Sequence, residues 1–324
     1  MQLSSERKTA DMRGIYGDTL VEIGRTHRNV VCVGADTTDS LKTKKFGDKY
    51  PDRMFNVGIA EANLVSIAAG LAIAGKIAFA GTYAAFLPCR CLDQIRNTIC
   101  YPNLNVKLVV SHAGLTVGPD GASHQQIEDF ASMRSIPNMR VIVPADAVSV
   151  GHLIKIIAHT LGPFYVRLAR PSSEVLYAEN ETAFDIGKGN ILRDGSDATI
   201  ISCGLMVARS LKAAEILKRE EDISCRVVDM FSIKPIDKDL VEKSGRETGA
   251  IVTVEEHNVI GGLGGAVTEA SAESYPVPIR RVGIHDKFGE SARDEEIDAL
   301  LEKYGLTEKE IAQAVIEARS RSKR

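Results

Sequence analysis

One feature constrains this chain more than any other. Short, continuously apolar runs of β-type residues alternate with helical stretches along most of its length. The strand-type runs in the first half are Asn29–Asp36 (NVVCVGAD), Met54–Val57, Ile77–Ala80, Val106–Ser111, Arg140–Val143 and Phe164–Ala169. Between them lie helix-type stretches such as EANLVSIAAGLAIAG and VSVGHLIKIIAH. A strand that is apolar at every position must be covered on both faces, which implies a parallel sheet between two helix layers. The pattern stops at the polar, turn-rich segment Pro171–Asn190 and then resumes. ATIISCG, a helix over Met206–Arg219, SCRVVDM, AIVTVEE and the glycine cluster GGLGG follow, and the charged helix of residues 308–324 comes last. At 324 residues the chain has room for roughly two domains. The reading is therefore α/β, two domains with mostly parallel sheets: residues 1–175, a linker at 176–190, and a smaller domain at 191–324.

Composition removes several classes. Hydrophobic residues are 44% and charged residues 26% of the chain, the balance of a globular protein rather than of a disordered, collagenous or coiled-coil one. A net charge of -3 gives no overall attraction to nucleic acid. The six cysteines form neither a C-x-x-C pair nor a zinc-type spacing, so they read as buried or half-buried thiols in a reducing cytoplasm, with no metal site. The start MQLSSERKTADMRG lacks the apolar core of a signal peptide. The longest apolar stretch, Leu64–Gly81, carries Lys76 and several glycines, and reads as helix, turn and strand rather than as a membrane span.

In an open α/β sheet, ligands bind beyond the carboxyl ends of the strands. The residues that follow the expected strands are therefore the candidates. They are Asp36 and Ser40; Glu61 at a helix start; Tyr83 and Phe86; His112, Asp120 and His124; and Arg170. Carboxylates, imidazoles, aromatic rings and a guanidinium on one edge suit a polar organic substrate and an aromatic cofactor. Each has a plainer reading beside it. Glu61 fits as a first-turn carboxylate favoured by the helix dipole. Tyr83 and Phe86, three apart on an expected helix, fit as core residues. The two histidines fit as loop surface. His257 reads as structural, and GGLGG as tight-turn chemistry, since a partial G-x-G is weak evidence for a dinucleotide loop.

Five segments carry a resemblance: GADTTDS (Gly34–Ser40), VGIAEAN (Val57–Asn63), GTYAAF (Gly81–Phe86), SHAGLTVGPDGASHQQIE (Ser111–Glu128) and RLARPS (Arg167–Ser172). From about residue 10 onward the chain resembles the C-terminal part of transketolase, its pyrimidine-binding domain plus its C-terminal domain. That resemblance implies thiamine diphosphate and Mg2+ as cofactors. It makes Glu61 the carboxylate that shares a proton with N1′ of the aminopyrimidine, a general acid–base role. Tyr83 and Phe86 become the aromatic pocket of the ring, and Asp36 a carboxylate near the cofactor at a subunit interface. His112, Asp120 and His124 become sugar contacts, with His124 also moving protons. Arg13, Ser40 and Arg170 become the phosphate-binding positions. The implied reaction is transfer of a two-carbon ketol unit between sugar phosphates, as in the pentose phosphate pathway.

The sequence departs from the family at two places. DGASHQ stands where many relatives have proline and threonine, which leaves Asp120 and His124 in place. No GDG followed by Asn, the mark of the diphosphate- and magnesium-binding domain, occurs in the sequence. The resemblance therefore implies a partner subunit that carries GDG…N, and a heterotetramer of the α2β2 kind in which this chain also self-associates. The alternatives are a deoxyxylulose-phosphate synthase-like chain, which shares the D-G-x-x-H loop and IPNM (Ile136–Met139), and a 2-oxo acid dehydrogenase β subunit. A non-catalytic scaffold subunit is a third. Neither nucleic acid nor a membrane is expected as a partner.

Overall fold

A computed structural model describes residues 8–180 and 184–322. The first sheet has seven strands in the order Ser232–Lys234, Arg140–Ile142, Phe164–Arg167, Val106–Val110, Ile77–Gly81, Val30–Gly34, Met54–Asn56. All neighbours are parallel except Ser232–Lys234, which runs antiparallel to Arg140–Ile142. That edge strand comes from the second half of the sequence. The second sheet has five strands, in the order Ile279–Ile284, Ile251–Asn258, Ala198–Ser202, Cys225–Asp229, Asn190–Arg193. Only Asn190–Arg193 is antiparallel in it. Two α/β units with mostly parallel sheets are what the alternating pattern implies, because the central strands are buried at every position.

Helices cover the sheets for local reasons. Helix Met12–Thr26 starts at Asp11, whose carboxylate accepts from the Arg13 backbone N–H at 3.0 Å. Helix Ala147–His159 starts with a capping box, in which Asp146 accepts from Ser149 N at 2.8 Å and Ser149 Oγ accepts from Asp146 N at 3.0 Å. Such reciprocal bonds satisfy N–H groups that a helix start leaves without partners. No described helix is long and apolar enough to cross a membrane.

The turn-rich segment after Pro171 is more ordered than its composition implies. Ser173–Glu174 pairs with Thr9–Ala10 as a small antiparallel sheet. Tyr177 and Phe184 are buried against Phe231, and Tyr177 donates to Asp229 Oδ2 at 2.7 Å. Two aromatic side chains in a polar stretch are enough to fasten it to the core.

The two sheets share one interior. A single apolar cluster runs from Val110, Val141 and Val143 to Ile201, Val228 and Met230. One polar side chain bonds on both sides of the same boundary. Arg167, at the end of a first-sheet strand, donates to Asp129 Oδ1 at 3.2 Å and to the Glu256 carbonyl at 2.9 Å. Five of the six cysteines are buried, as composition implies, whereas Cys89 is exposed.

Candidate active site at the switch point of the first sheet

From strand Val30–Gly34 the chain crosses to Met54–Asn56 on one side, then returns to Ile77–Gly81 on the other. The loops after these strands diverge there and leave a crevice, the place where such sheets bind ligands. Ser40, from the first loop, meets Tyr83, from the loop after Gly81: the phenol donates to Ser40 Oγ at 2.9 Å. Arg13, in the first turn of helix Met12–Thr26, donates to the Ser40 carbonyl at 3.2 Å. Its Nε is buried without a hydrogen-bond partner, 3.5 Å from Asp11 Oδ1.

Tyr83 and Phe86 do not lie on a helix; this corrects the sequence expectation. Gly81 ends its strand, Tyr83 forms an isolated bridge with Ser111, and a turn carries Phe86. The turn brings both rings to one side, with centroids 5.8 Å apart and planes at 22°. Tyr83 also stacks on His112 at 4.0 Å, and His124 meets Phe86 edge-on at 5.1 Å.

His112 is not a surface loop residue. It is only 4% exposed, sits at a left-handed φ of 59°, and its Nδ1 lies 2.7 Å from Ser111 Oγ. Burial, reinforced by Arg13, Arg170 and His124, pushes its pKa down to about 3. Above that pH the imidazole is neutral, so it offers one donor and one acceptor. The loop around His112 and His124 is pinned from the second half of the chain. Glu256 Oε1 accepts from Thr116 N at 2.7 Å, and Gln125 Nε2 donates to the Leu115 and Glu290 carbonyls, each at 2.9 Å.

Glu61 is buried as the first residue of helix Glu61–Ile73, where the helix dipole favours its negative charge. Arg90 donates to its Oε1 at 2.9 Å and lies 4.6 Å over the Phe86 ring. Sequence reasoning passed over Arg90, although an arginine inside the largely apolar run Phe86–Leu92 was a usable signal. Asp294 was invisible in the sequence. It binds Arg170 through both carboxylate oxygens, at 2.7 and 3.2 Å, across 124 positions of sequence. The Asp294 hydrogen bond raises the pKa of Arg170, and the exposed Asp120 adds to it.

Nine of the ten candidates thus form one connected group. Asp36 stands apart from it. It is exposed with φ 59°, its N–H donates to Asn56 Oδ1 at 2.9 Å, and it makes no hydrogen bond to the others. His257 is fully buried, stacked on Phe130 with planes 5° apart, and burial pushes its pKa down to about 4. A neutral, packed imidazole of this kind fits a structural role.

Residues 8–174 match the transketolase pyrimidine binding domain, and residues 187–311 the transketolase C-terminal domain. The chain belongs to the transketolase family. A Methanocaldococcus jannaschii protein named for a transketolase C-terminal section is 48% identical, over 94% of this chain and 95% of that protein. A 6-deoxy-6-sulfo-D-fructose transketolase subunit from a Clostridium species is 41% identical, over 96% of this chain and 95% of its own length. The solved structure of a split gene transketolase, an inactive beta4 tetramer, superposes with a TM-score of 0.89 at 47% identity. The match covers 96% of this chain and 99% of that one.

Proposed function

We propose that this transketolase-family chain is the pyrimidine-binding and sugar-binding subunit of a split, thiamine diphosphate-dependent transketolase. It transfers a two-carbon ketol unit between sugar phosphates, and a partner subunit holds the diphosphate and Mg2+. The observation that carries the reading is the apposition of Glu61, Phe86 and Arg90. A guanidinium is a planar cation with N–H donors, and it takes a stacking contact and a carboxylate contact at once. An aminopyrimidine needs the same two contacts, so the seat fits the ring. When bound, thiamine diphosphate supplies the nucleophilic carbon and electron sink that ketol transfer requires.

The chain's own residues then divide the work. Glu61 holds and returns a proton at N1′ from a buried, dipole-stabilised position. Phe86 and Tyr83 shape the pocket of the ring. His112, neutral, and His124, half-buried beside Phe86, present hydrogen bonds to the sugar, and His124 moves protons near the reacting carbons. Asp120 takes a sugar hydroxyl. Arg13, Ser40 and Arg170 anchor the terminal phosphate, and Asp36 acts at a subunit boundary. The domain division at residues 175 and 190, the α2β2 assembly and a cytoplasmic setting belong to the same proposal. Support for the split comes from the relatives, one named a C-terminal section and one a subunit, each matched nearly end to end.

The test is reconstitution. The purified chain should show no ketol transfer and no tight thiamine diphosphate binding by itself. Mixing with the partner subunit, magnesium and thiamine diphosphate should restore activity. Full activity from this chain alone at any concentration would overturn the reading.

A further inference from the structure

We propose that Asp294 is a specificity-determining residue that competes with the substrate's terminal anion for the Arg170 guanidinium. The inference rests on the proposed phosphate-binding role of Arg170 and adds a residue from the second half of the chain. The two parallel bonds from Nη1 to Oδ1 at 2.7 Å and from Nη2 to Oδ2 at 3.2 Å occupy the fork of the guanidinium. Phosphate and sulfonate use the same fork. An anion that takes this end-on edge must displace the Asp294 carboxylate, and one that takes the Nε edge still meets its negative charge.

Asp294 is held in place independently of that pair. Its segment bonds to the loop that carries Asp120 and His124: Ser291 Oγ donates to the Pro119 carbonyl at 2.6 Å, and Ala292 N to the Gly118 carbonyl at 3.4 Å. Gly118, at φ +89°, permits the approach, since a Cβ there would lie 2.6 Å from Asp294 Oδ1. The pair is open to water, with side chains 26% and 59% exposed for Arg170 and Asp294. An exposed pair breaks at little cost, so Asp294 weakens anion binding without abolishing it. The repulsion grows with the ligand's charge, so a phosphate dianion is penalised more than a sulfonate monoanion.

The experiment uses the reconstituted complex with ribose 5-phosphate and with ribose as acceptors, alongside 31P titration of ribose 5-phosphate against this chain alone. Asp294→Asn should lower KM and Kd for the phosphorylated sugar by about two- to fivefold, the scale of an exposed ion pair. KM for ribose should stay put, and Asp294→Glu should return the wild-type preference. Arg170→Ala, run in parallel, separates the two ideas. If it raises KM for ribose 5-phosphate selectively while Asp294→Asn leaves KM and Kd unchanged, the phosphate site stands and the role of Asp294 is wrong. If Arg170→Ala shows no preference for the phosphorylated sugar, both fall. A general loss of affinity for both sugars in Asp294→Asn would mark a merely structural role and overturn the proposal.

Discussion

Glu61 and Asp229 are both buried carboxylates, and they differ in what surrounds them. Glu61 has a helix N-terminus and the Arg90 guanidinium beside it. Glu61→Gln keeps the shape and removes the proposed base. Hydrogen–deuterium exchange at the thiazolium C2 of thiamine diphosphate in the reconstituted complex should slow by at least about a hundredfold, the low end of general acid–base catalysis. An unchanged exchange rate would sink the role given to Glu61. Among the described residues, no cation pairs with Asp229. Burial pushes its pKa up to about 8 against the lowering effect of the Tyr177 hydrogen bond, and its Oδ1 is buried without a partner. Its folded pKa lies above the unfolded value of about 4. The stability it contributes is therefore complete below about pH 4 and is lost as pH rises through about 8. Asp229→Asn keeps an acceptor for Tyr177 and removes that loss. Relative to Asp229→Asn, the wild type should lose stability between about pH 5 and pH 7.5, by at most about 1.4 kcal/mol per pH unit, and the difference in denaturant midpoints should level off above about pH 8.

At the scale of elements, Asp146 does more than begin a helix. One carboxylate oxygen caps Ala147–His159 through Ser149 N, and the other accepts from Leu176 N at 2.7 Å and Tyr177 N at 3.1 Å. A single buried side chain thus ties a first-sheet helix to the segment that leads into the second sheet. Asp146→Ala leaves three backbone N–H groups without their partner. The loss should be about 2–4 kcal/mol, more than an exposed N-cap gives, because the donors are shielded from water. Chemical denaturation of the purified chain measures it, and a loss under about 1 kcal/mol would show that these N–H groups find other acceptors. Helix Glu61–Ile73 shows a different economy. Leu64, Val65, Ala68 and Ala69 are buried, while Ala62, Ser66, Gly70 and Ile73 form an exposed face of mostly small residues. Gly70 has open space where a side chain would begin, so that face leaves room for the self-association proposed for this chain.

At the scale of the whole molecule, polar bonds as well as apolar packing join the two halves. Arg134 pairs with Glu269 at 2.7 Å, and Arg167 donates to the Glu256 carbonyl. Arg167 also holds a buried charge within the first half. Arg167 is 6% exposed and Asp129 fully buried; Tyr165 donates to the other Asp129 oxygen at 2.8 Å. Removing the cation leaves Asp129 uncompensated. Arg167→Met should therefore cost about 3–5 kcal/mol, and it should lower the melting temperature of the chain as a single cooperative transition. Two separated transitions in the wild type would show instead that the halves unfold independently. The strand Ser232–Lys234, which completes the first sheet from the second half, argues for the single transition.

Apolar runs such as Val30–Gly34 and Val106–Val110 were legible in the sequence, because a strand covered on both faces must be apolar at every position. So were Glu61, Tyr83, His112 and Arg170, because each lies within five residues of a strand's carboxyl end, where loops converge in this architecture. Tertiary structure decided the rest. Tyr83 and Phe86 share a side through a turn, not through helical periodicity, and three-residue spacing cannot tell the two apart. Tyr177 and Phe184 are packed into the core from a stretch whose composition resembles a linker. Asp294 reaches Arg170 from 124 residues away, and Ser232–Lys234 joins a sheet that local pattern assigns to the other half. Periodicity and strand-end position are local quantities that a sequence carries directly. Pairings between distant segments depend on how the two sheets pack, and no local pattern encodes that.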